Sequence, residues 1–169
     1  MVKIVKGDLL KSDCQYIAHG VNCQGVMNSG IAKQIRDKYP EVYNRYKRYV
    51  DTYPKDNSHL LGVMLPVPVD TNRVVFNVFS QYKYGRDSSV RYVNYAALIT
   101  GLENVATFVS DHAWYSTYHS FDNAIIGLPW IGCGLANGEK SVVLEILELI
   151  ERNFSNIPKI EFHIYEFDG

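Results

Sequence analysis

Two segments of this chain, one near each end, connect a short apolar strand to a helix through a turn crowded with glycine and small polar residues. The first runs His19-Gly-Val-Asn-Cys-Gln-Gly-Val-Met-Asn-Ser-Gly-Ile-Ala, residues 19–32. The second is Trp130-Ile-Gly-Cys-Gly-Leu-Ala-Asn-Gly, residues 130–138. Glycines at 20, 25 and 30 permit unusual dihedrals and a close approach of backbone to a neighbour. The helix start beyond them offers unpaired N–H groups and a positive dipole end, which attract an anion. Two such units in one chain would hold an extended, phosphate-bearing ligand between them.

The remaining pattern surrounds these units with regular elements. Residues 2–5 and 14–18 read as strands, the second feeding the first glycine turn. Apolar residues at 31, 35 and 39 follow helical spacing, and Pro40 starts a second helical stretch, since proline suits a first helical turn. Residues 60–69 and 74–80 read as two strands joined at 70–72, with Pro66 and Pro68 confining the former to a sheet edge. A loop over 81–90 precedes a helix with Leu98, Leu102, Val105 and Val109 on one face. Residues 111–122 read as a loop, 123–128 as a strand, the stretch from about 139 as a helix and 160–167 as the last strand. The order β-β-α-β-β-α-β-α-β implies an α/β chain with one mixed sheet and helices on both faces. No repeat, low-complexity segment or linker divides it, so residues 1–169 are expected to form a single domain.

Composition excludes several classes of function. The 17 basic and 18 acidic residues leave a net charge of -1, which disfavours nucleic-acid or acidic-membrane binding driven by bulk charge. No run reaches transmembrane length, and the alternating N-terminus lacks a signal-peptide core. Three cysteines without Cys-x-x-Cys spacing argue against a disulfide framework or a structural zinc, and no acidic cluster has metal-ligand spacing. A cytoplasmic monomer without cofactor or metal is therefore expected. A phosphate-binding P-loop is excluded because Glu139 separates Gly138 from Lys140-Ser141. A dinucleotide-binding fingerprint fails for want of the three-glycine pattern with a following acid.

Together the paired loops, the Lys6-Gly7-Asp8-Leu9-Leu10 strand end and the element order resemble a macrodomain, the ADP-ribose-binding fold, over nearly the whole chain. The resemblance implies a three-layer α/β/α architecture with a mixed central sheet and no bound cofactor. It implies that Asp8, with Leu9 beside it, contacts the adenine amino group and that Tyr165 lines the adenine site. His19-Gly20-Val21-Asn22 stands where the family has Asn-Ala-Ala-Asn, which makes Asn22 the contact to the distal ribose. Gly25 and Asn28-Ser29-Gly30-Ile31 match the glycine-rich start of the next helix, and Gly132-Cys133-Gly134-Leu135 match the diphosphate loop.

Two branches of that family are similar to this chain. The terminal ADP-ribose glycohydrolases share the Gly-Cys-Gly-Leu loop and the Gly-Ile-Ala helix start. The yeast-type ADP-ribose-1''-phosphate phosphatases share a His followed by Asn-Cys and Gly, the Lys38-Tyr39-Pro40 turn and Leu60-Leu61-Gly62. The glycohydrolases use a catalytic lysine after the central strand and an aspartate after Gly-Cys-Gly-Leu. Those places hold Gln81 and Ala136 here, and neither side chain does acid, base or Schiff-base chemistry. The phosphatase branch depends instead on the histidine matching His19, which is present. The expected activity is hydrolysis of ADP-ribose-1''-phosphate to ADP-ribose and phosphate, independent of metal. The alternatives are removal of ADP-ribose from a modified protein or nucleic acid, and reading of ADP-ribose without turnover.

In that chemistry the backbone N–H groups at 25–31 and 132–135 would stabilise charge on the phosphoryl group. His19 would activate a water, protonate the leaving sugar oxygen or attack phosphorus, and the sequence leaves these roles open. Cys133, beside a helix start, is read as a small packed residue rather than a nucleophile. With 13 tyrosines in the chain, Tyr82 and Tyr84 are as well explained by packing as by a ligand. The aromatic stretch of His112, Trp114, Tyr115, Tyr118 and His119 has no interleaved basic run and reads as an ordinary packed loop.

Overall fold

Strand patterning in this chain depends on which faces are covered, and the computed structural model shows both faces of the central strands covered. It describes every residue except 54, 71, 116–122, 157, 168 and 169. Among the described residues the elements are β1 (Lys3–Lys6), β2 (Tyr16–Asn22), α1 (Gly30–Lys38), α2 (Pro40–Asp51), β3 (Met64–Asp70), β4 (Arg73–Gln81), α3 (Tyr95–Tyr115), β5 (Asn123–Leu128), α4 (Lys140–Asn153) and β6 (Lys159–Glu166). The strands form one six-stranded sheet in the order β1-β6-β5-β2-β4-β3. All neighbours are parallel except β3 and β4. The sheet is mixed, as the element order implies.

Side-chain parity in β4 divides the core. Val74, Phe76 and Val78 pack with Leu98, Leu102 and Val105 of α3 and with Val143 and Leu147 of α4. Val75 and Phe79 face the other way, onto Ile35, Val42 and Tyr46 of α1 and α2. Because alternate residues of one strand serve opposite faces, β4 is a near-continuous apolar run. Each large buried apolar side chain contributes roughly 1.5–3 kcal/mol to burial. This two-sided core makes the fold a three-layer α/β/α sandwich.

Local chemistry sets several boundaries. Pro40 is the first residue of α2; its missing N–H costs nothing there, and Tyr39 closes α1 with an N–H bond to Ile35 O at 2.7 Å. Pro66 and Pro68 lie on β3, the edge strand, where an absent donor is tolerated.

Two expectations are corrected. Residues 111–115 belong to the end of α3 rather than to a loop, and the remainder of that expected loop, 116–122, lies outside the described residues. The helix continues because His112 stacks on Phe108 and its Nδ1 lies 2.7 Å from the Tyr16 hydroxyl, on the sheet face that α3 covers. Likewise β2 runs on to Asn22, four residues past the expected end at 18. No helix among the described residues is long and apolar enough to cross a membrane.

Candidate functional site

Chain connections leave β2 and β5, neighbours in the sheet, toward opposite faces: α1 and α2 on one, α4 on the other. Such a switch point opens a crevice beyond the carboxyl ends of the strands. A cavity of about 710 Å³ lies there, lined by the end of β2, the 26–32 turn, Gln81, the segment Tyr84 to Arg86 and the 129–136 turn.

The longer β2 decides the position of His19. Residues 16–21 pair in register with β4 from Val74 to Phe79, and His19 stands opposite Asn77 in the sheet interior. Its side chain has no solvent exposure and does not line the cavity. Nε2 lies 2.6 Å from Asn77 Oδ1, and Asn77 donates in turn to Leu65 O. Burial pushes the imidazole pKa down to about 4, partly offset by the Asn77 bond. Nε2 therefore carries the proton and donates, while Nδ1 has no partner among the described residues. Where an acid, base or nucleophile was expected at the ligand, the structure places His19 beneath the α1–α2 layer, buried and off the cavity.

The first glycine turn is built around Asn22 and Tyr46. Asn22 Oδ1 accepts from the N–H groups of Gln24 and Val26, and its Nδ2 donates to Val26 O. The wholly buried Tyr46 hydroxyl donates to Asn22 O at 2.6 Å and accepts from Gly25 N at 3.1 Å. Gly25 (φ +80°) is thus turned inward, its N–H is spent on Tyr46, and it does not line the cavity. Asn22 does line it, but its amide chiefly folds the turn. Tyr46 lies in the helical stretch expected to start at Pro40, and its hydroxyl role has no local signal. Farther on, Asn28, Ser29, Gly30, Ile31 and Ala32 line the cavity. Ser29 caps α1 without a side-chain bond, and among the described residues the N–H groups of 28–32 find no acceptor.

The second turn mirrors the first. Gly132 (φ +77°) packs where a Cβ would stand 2.8 Å from Val93 Cγ2. Cys133 N donates to Trp130 O and Gly138 N to Gly132 O. The N–H groups of Gly132, Gly134, Leu135 and Ala136 remain without acceptors among the described residues, and all four residues line the cavity. Cys133 lines it as well, but burial pushes its thiol pKa up, against the smaller opposing pull of Lys140, so it is not an activated nucleophile.

Gln81, Tyr84, Gly85 and Arg86 complete the wall, while Tyr82 stays outside it. Gln81 Nε2 donates to Lys83 O, and Ala136 is buried and linked toward Gln81 through Val93, which bridges Gln81 and donates its N–H to Ala136 O at 3.2 Å. Among the described lining residues there is no Asp, Glu or His; the charged members are Arg86 and Lys140. The cavity therefore presents fixed N–H dipoles and two cations with no acid to oppose them. No group of three or more metal-ligating side chains occurs among the described residues.

Asp8, Leu9 and Tyr165 do not line this cavity. Asp8 caps the 3-10 turn Leu9–Lys11 by accepting from Leu10 N at 3.0 Å. Tyr165 lies beside Val5 in register, its hydroxyl 3.5 Å from Cys14 Sγ and its pKa raised by burial to about 12. The group flanks the cavity, because the lining residue Trp130 donates from Nε1 to Glu166, the neighbour of Tyr165.

This architecture, a mixed six-stranded sheet between helical layers with two amide-rich turns at its switch point, is that of a macrodomain. The macrodomain of Mycobacterium tuberculosis DarG matches it with a TM-score of 0.75 and 21% identity, over 98% of this chain and 97% of that one. Thermosipho africanus DarTG in complex with ADP-ribose matches with a TM-score of 0.68 and 15% identity, over 96% of this chain and 41% of that one. No protein-family model matches the chain.

The chain thus has the macrodomain fold, and its sequence is similar to two kinds of curated relative. The ADP-ribose 1''-phosphate phosphatase of Scheffersomyces stipitis is 39% identical over 74 residues, 40% of this chain and 43% of the relative. That of Saccharomyces cerevisiae is 30% identical over 115 residues, 63% of this chain and 61% of the relative. The DNA ADP-ribosyl glycohydrolase of Mycobacterium tuberculosis is 42% identical over 48 residues, 28% of this chain and 14% of the relative. The chain thus spans less than half the length of the first yeast relative it matches.

Proposed function

We propose that the chain binds ADP-ribose through its diphosphate and hydrolyses ADP-ribose-1''-phosphate to ADP-ribose and phosphate. One observation carries this reading: two facing turns present unpaired N–H groups to a cavity that holds two cations and no carboxylate. The diphosphate rests between the turns that follow β2 and β5, and the adenine end points past Trp130 toward Asp8 and Tyr165. Similarity to phosphatases named for this substrate supports the same reading.

Such a cavity suits phosphate-ester cleavage. Water attacks phosphorus, the bond from phosphorus to the anomeric oxygen breaks, and the departing oxygen takes a proton from water or from the monoanionic ester. The transition state is loose, with charge spread over the peripheral oxygens, so positioning and fixed positive potential matter more than a strong base. His19 takes no part in this reading. Removal of ADP-ribose from macromolecules fits less well, because Gln81 and Ala136 occupy the walls where that chemistry needs a base and an acid. A second reading, retention of ADP-ribose without turnover, is favoured by the absence of histidine and carboxylate from the described lining residues.

The deciding experiment incubates the protein, without added metal, with ADP-ribose-1''-phosphate and separately with ADP-ribosylated protein and DNA. Phosphate release from the first and no ADP-ribose release from the others is expected. Tight ADP-ribose binding with no phosphate release would replace the phosphatase with the binding module.

A further inference from the structure

Arg86 and Lys140, the two cations of the cavity, stand on different walls and differ in what they already hold. Lys140 opens α4 above β5, with its ammonium 5.0 Å from the Trp130 ring centre and 3.8 Å from Glu166. It is partly neutralised and sits toward the Tyr165 flank. Arg86 follows β4, on the far side of β2 from β5. No ion pair among the described residues involves it. The diphosphate turns follow β2 and β5, so Arg86 stands beyond the diphosphate.

The segment carrying Arg86 is fastened rather than loose. Asn137, the described non-glycine residue with positive φ (61°), donates from Nδ2 to Asp87 O at 3.0 Å and to Val90 O at 2.6 Å. Asp87 N donates to the Tyr92 hydroxyl, and Tyr92 N donates to Ala136 O at 2.9 Å. Gly85 lies so close to that hydroxyl that a side chain there would collide with it. The Asp87 carboxylate, the acid nearest in sequence, is occupied by Ser89 N and Oγ. An exposed arginine on a free loop would pay the entropy of ordering when a ligand arrived; here the backbone is already ordered.

We infer that Arg86 is the specificity-determining residue that separates a ligand bearing a phosphate monoester beyond the diphosphate from ADP-ribose itself, and that Asn137 positions it. A guanidinium presents a planar donor fork that matches a terminal phosphate and stays charged at every relevant pH. ADP-ribose carries no anionic group at that end and gains nothing comparable. This rests on the reading of the cavity as an ADP-ribose site.

The test compares the protein with Arg86→Gln, Arg86→Lys and Asn137→Gly. Glycine at 137 keeps the positive φ and deletes only the amide. Each is titrated on ice with ADP-ribose and with ADP-ribose-1''-phosphate, the ratio of the two dissociation constants being the readout, and thermal melts check folding. Unaltered protein is expected to prefer the phosphorylated ligand. Arg86→Gln should reduce that preference by about 10- to 100-fold, the range of a charge-assisted hydrogen-bonded pair. Arg86→Lys should retain part of it, and Asn137→Gly should move the ratio in the same direction with little change in melting. Equal losses on both ligands, or an unchanged ratio in Arg86→Gln, would overturn the inference while leaving the ADP-ribose site standing. Unaltered protein that binds neither ligand would overturn both.

Discussion

His19 and Asn77, paired across β2 and β4 at 2.6 Å, share a hydrogen bond in the sheet interior from which solvent is excluded. The imidazole must stay neutral there, because charging it means desolvating a cation with no counter-ion. Its pKa, about 4 in the fold, lies below the ordinary 6.5, so between those values the unfolded chain takes up a proton that the folded chain refuses. Stability from this group is present above pH 6.5 and is lost as pH falls toward 4, by on the order of 3 kcal/mol over that window. Urea midpoints measured from pH 7.5 to 4.5 should fall steeply, and His19→Leu should flatten the slope. Phosphate release per folded molecule should survive in His19→Ala; its complete loss in a well-folded variant would return His19 to the chemistry.

The Tyr46 hydroxyl joins Asn22 O to Gly25 N from inside the α2 layer. Tyr46→Phe removes that link and leaves two backbone groups of a buried turn unpaired. A loss of about 1–3 kcal/mol in stability is expected, with weaker ADP-ribose binding because Val26 to Ala32 shift. Calorimetric titration beside thermal melts separates the two effects. Unchanged affinity would mean that the turn holds its shape without Tyr46.

Gly132 combines a positive φ with contact to Val93. Alanine there meets a left-handed conformation, costing roughly 1–2 kcal/mol, and crowds a partner in the core. Gly132→Ala should lower the melting temperature and weaken ADP-ribose binding together, since Gly134 to Ala136 follow the same turn. Gly134, with open space where its Cβ would be, should tolerate alanine better.

Cysteine chemistry should be quiet. Burial raises the thiol pKa of Cys133 and carries that of Cys23 to about 11, and Cys14 is also buried. Because the thiolate is the reactive form, iodoacetamide at pH 7.5 should label the folded protein more slowly than free cysteine, as followed by mass spectrometry. Rapid labelling of Cys133 would restore it as a candidate nucleophile.

At the flank, Asp8 keeps one carboxylate oxygen on Leu10 N, and the other has no hydrogen-bond partner among the described residues. Asp8→Ala should weaken ADP-ribose binding by roughly 1–3 kcal/mol if adenine docks there, with a smaller loss of stability from the missing cap. An unchanged dissociation constant would move the adenine end elsewhere.

Local chemistry was legible in the residues themselves. Glycine turns at 20–30 and 132–138, the proline break at Tyr39-Pro40, the edge strand marked by Pro66 and Pro68, and the amphipathic faces of α3 and α4 are each marked by residues close together in the chain. They were enough to order the elements and to face two amide-rich turns toward one cavity. What sequence reading missed depends on distant partners. β2 reaches Asn22 because β4 pairs with it, and that pairing carries His19 from an expected loop into the core. Gly25 turns inward because Tyr46, twenty-one residues away, takes its N–H. Arg86 enters the cavity wall because Asn137 ties its segment down across the fold. Propensity and local spacing located the two glycine turns; only long-range pairing and burial decided their shape and which side chains line the cavity and which lie beneath it.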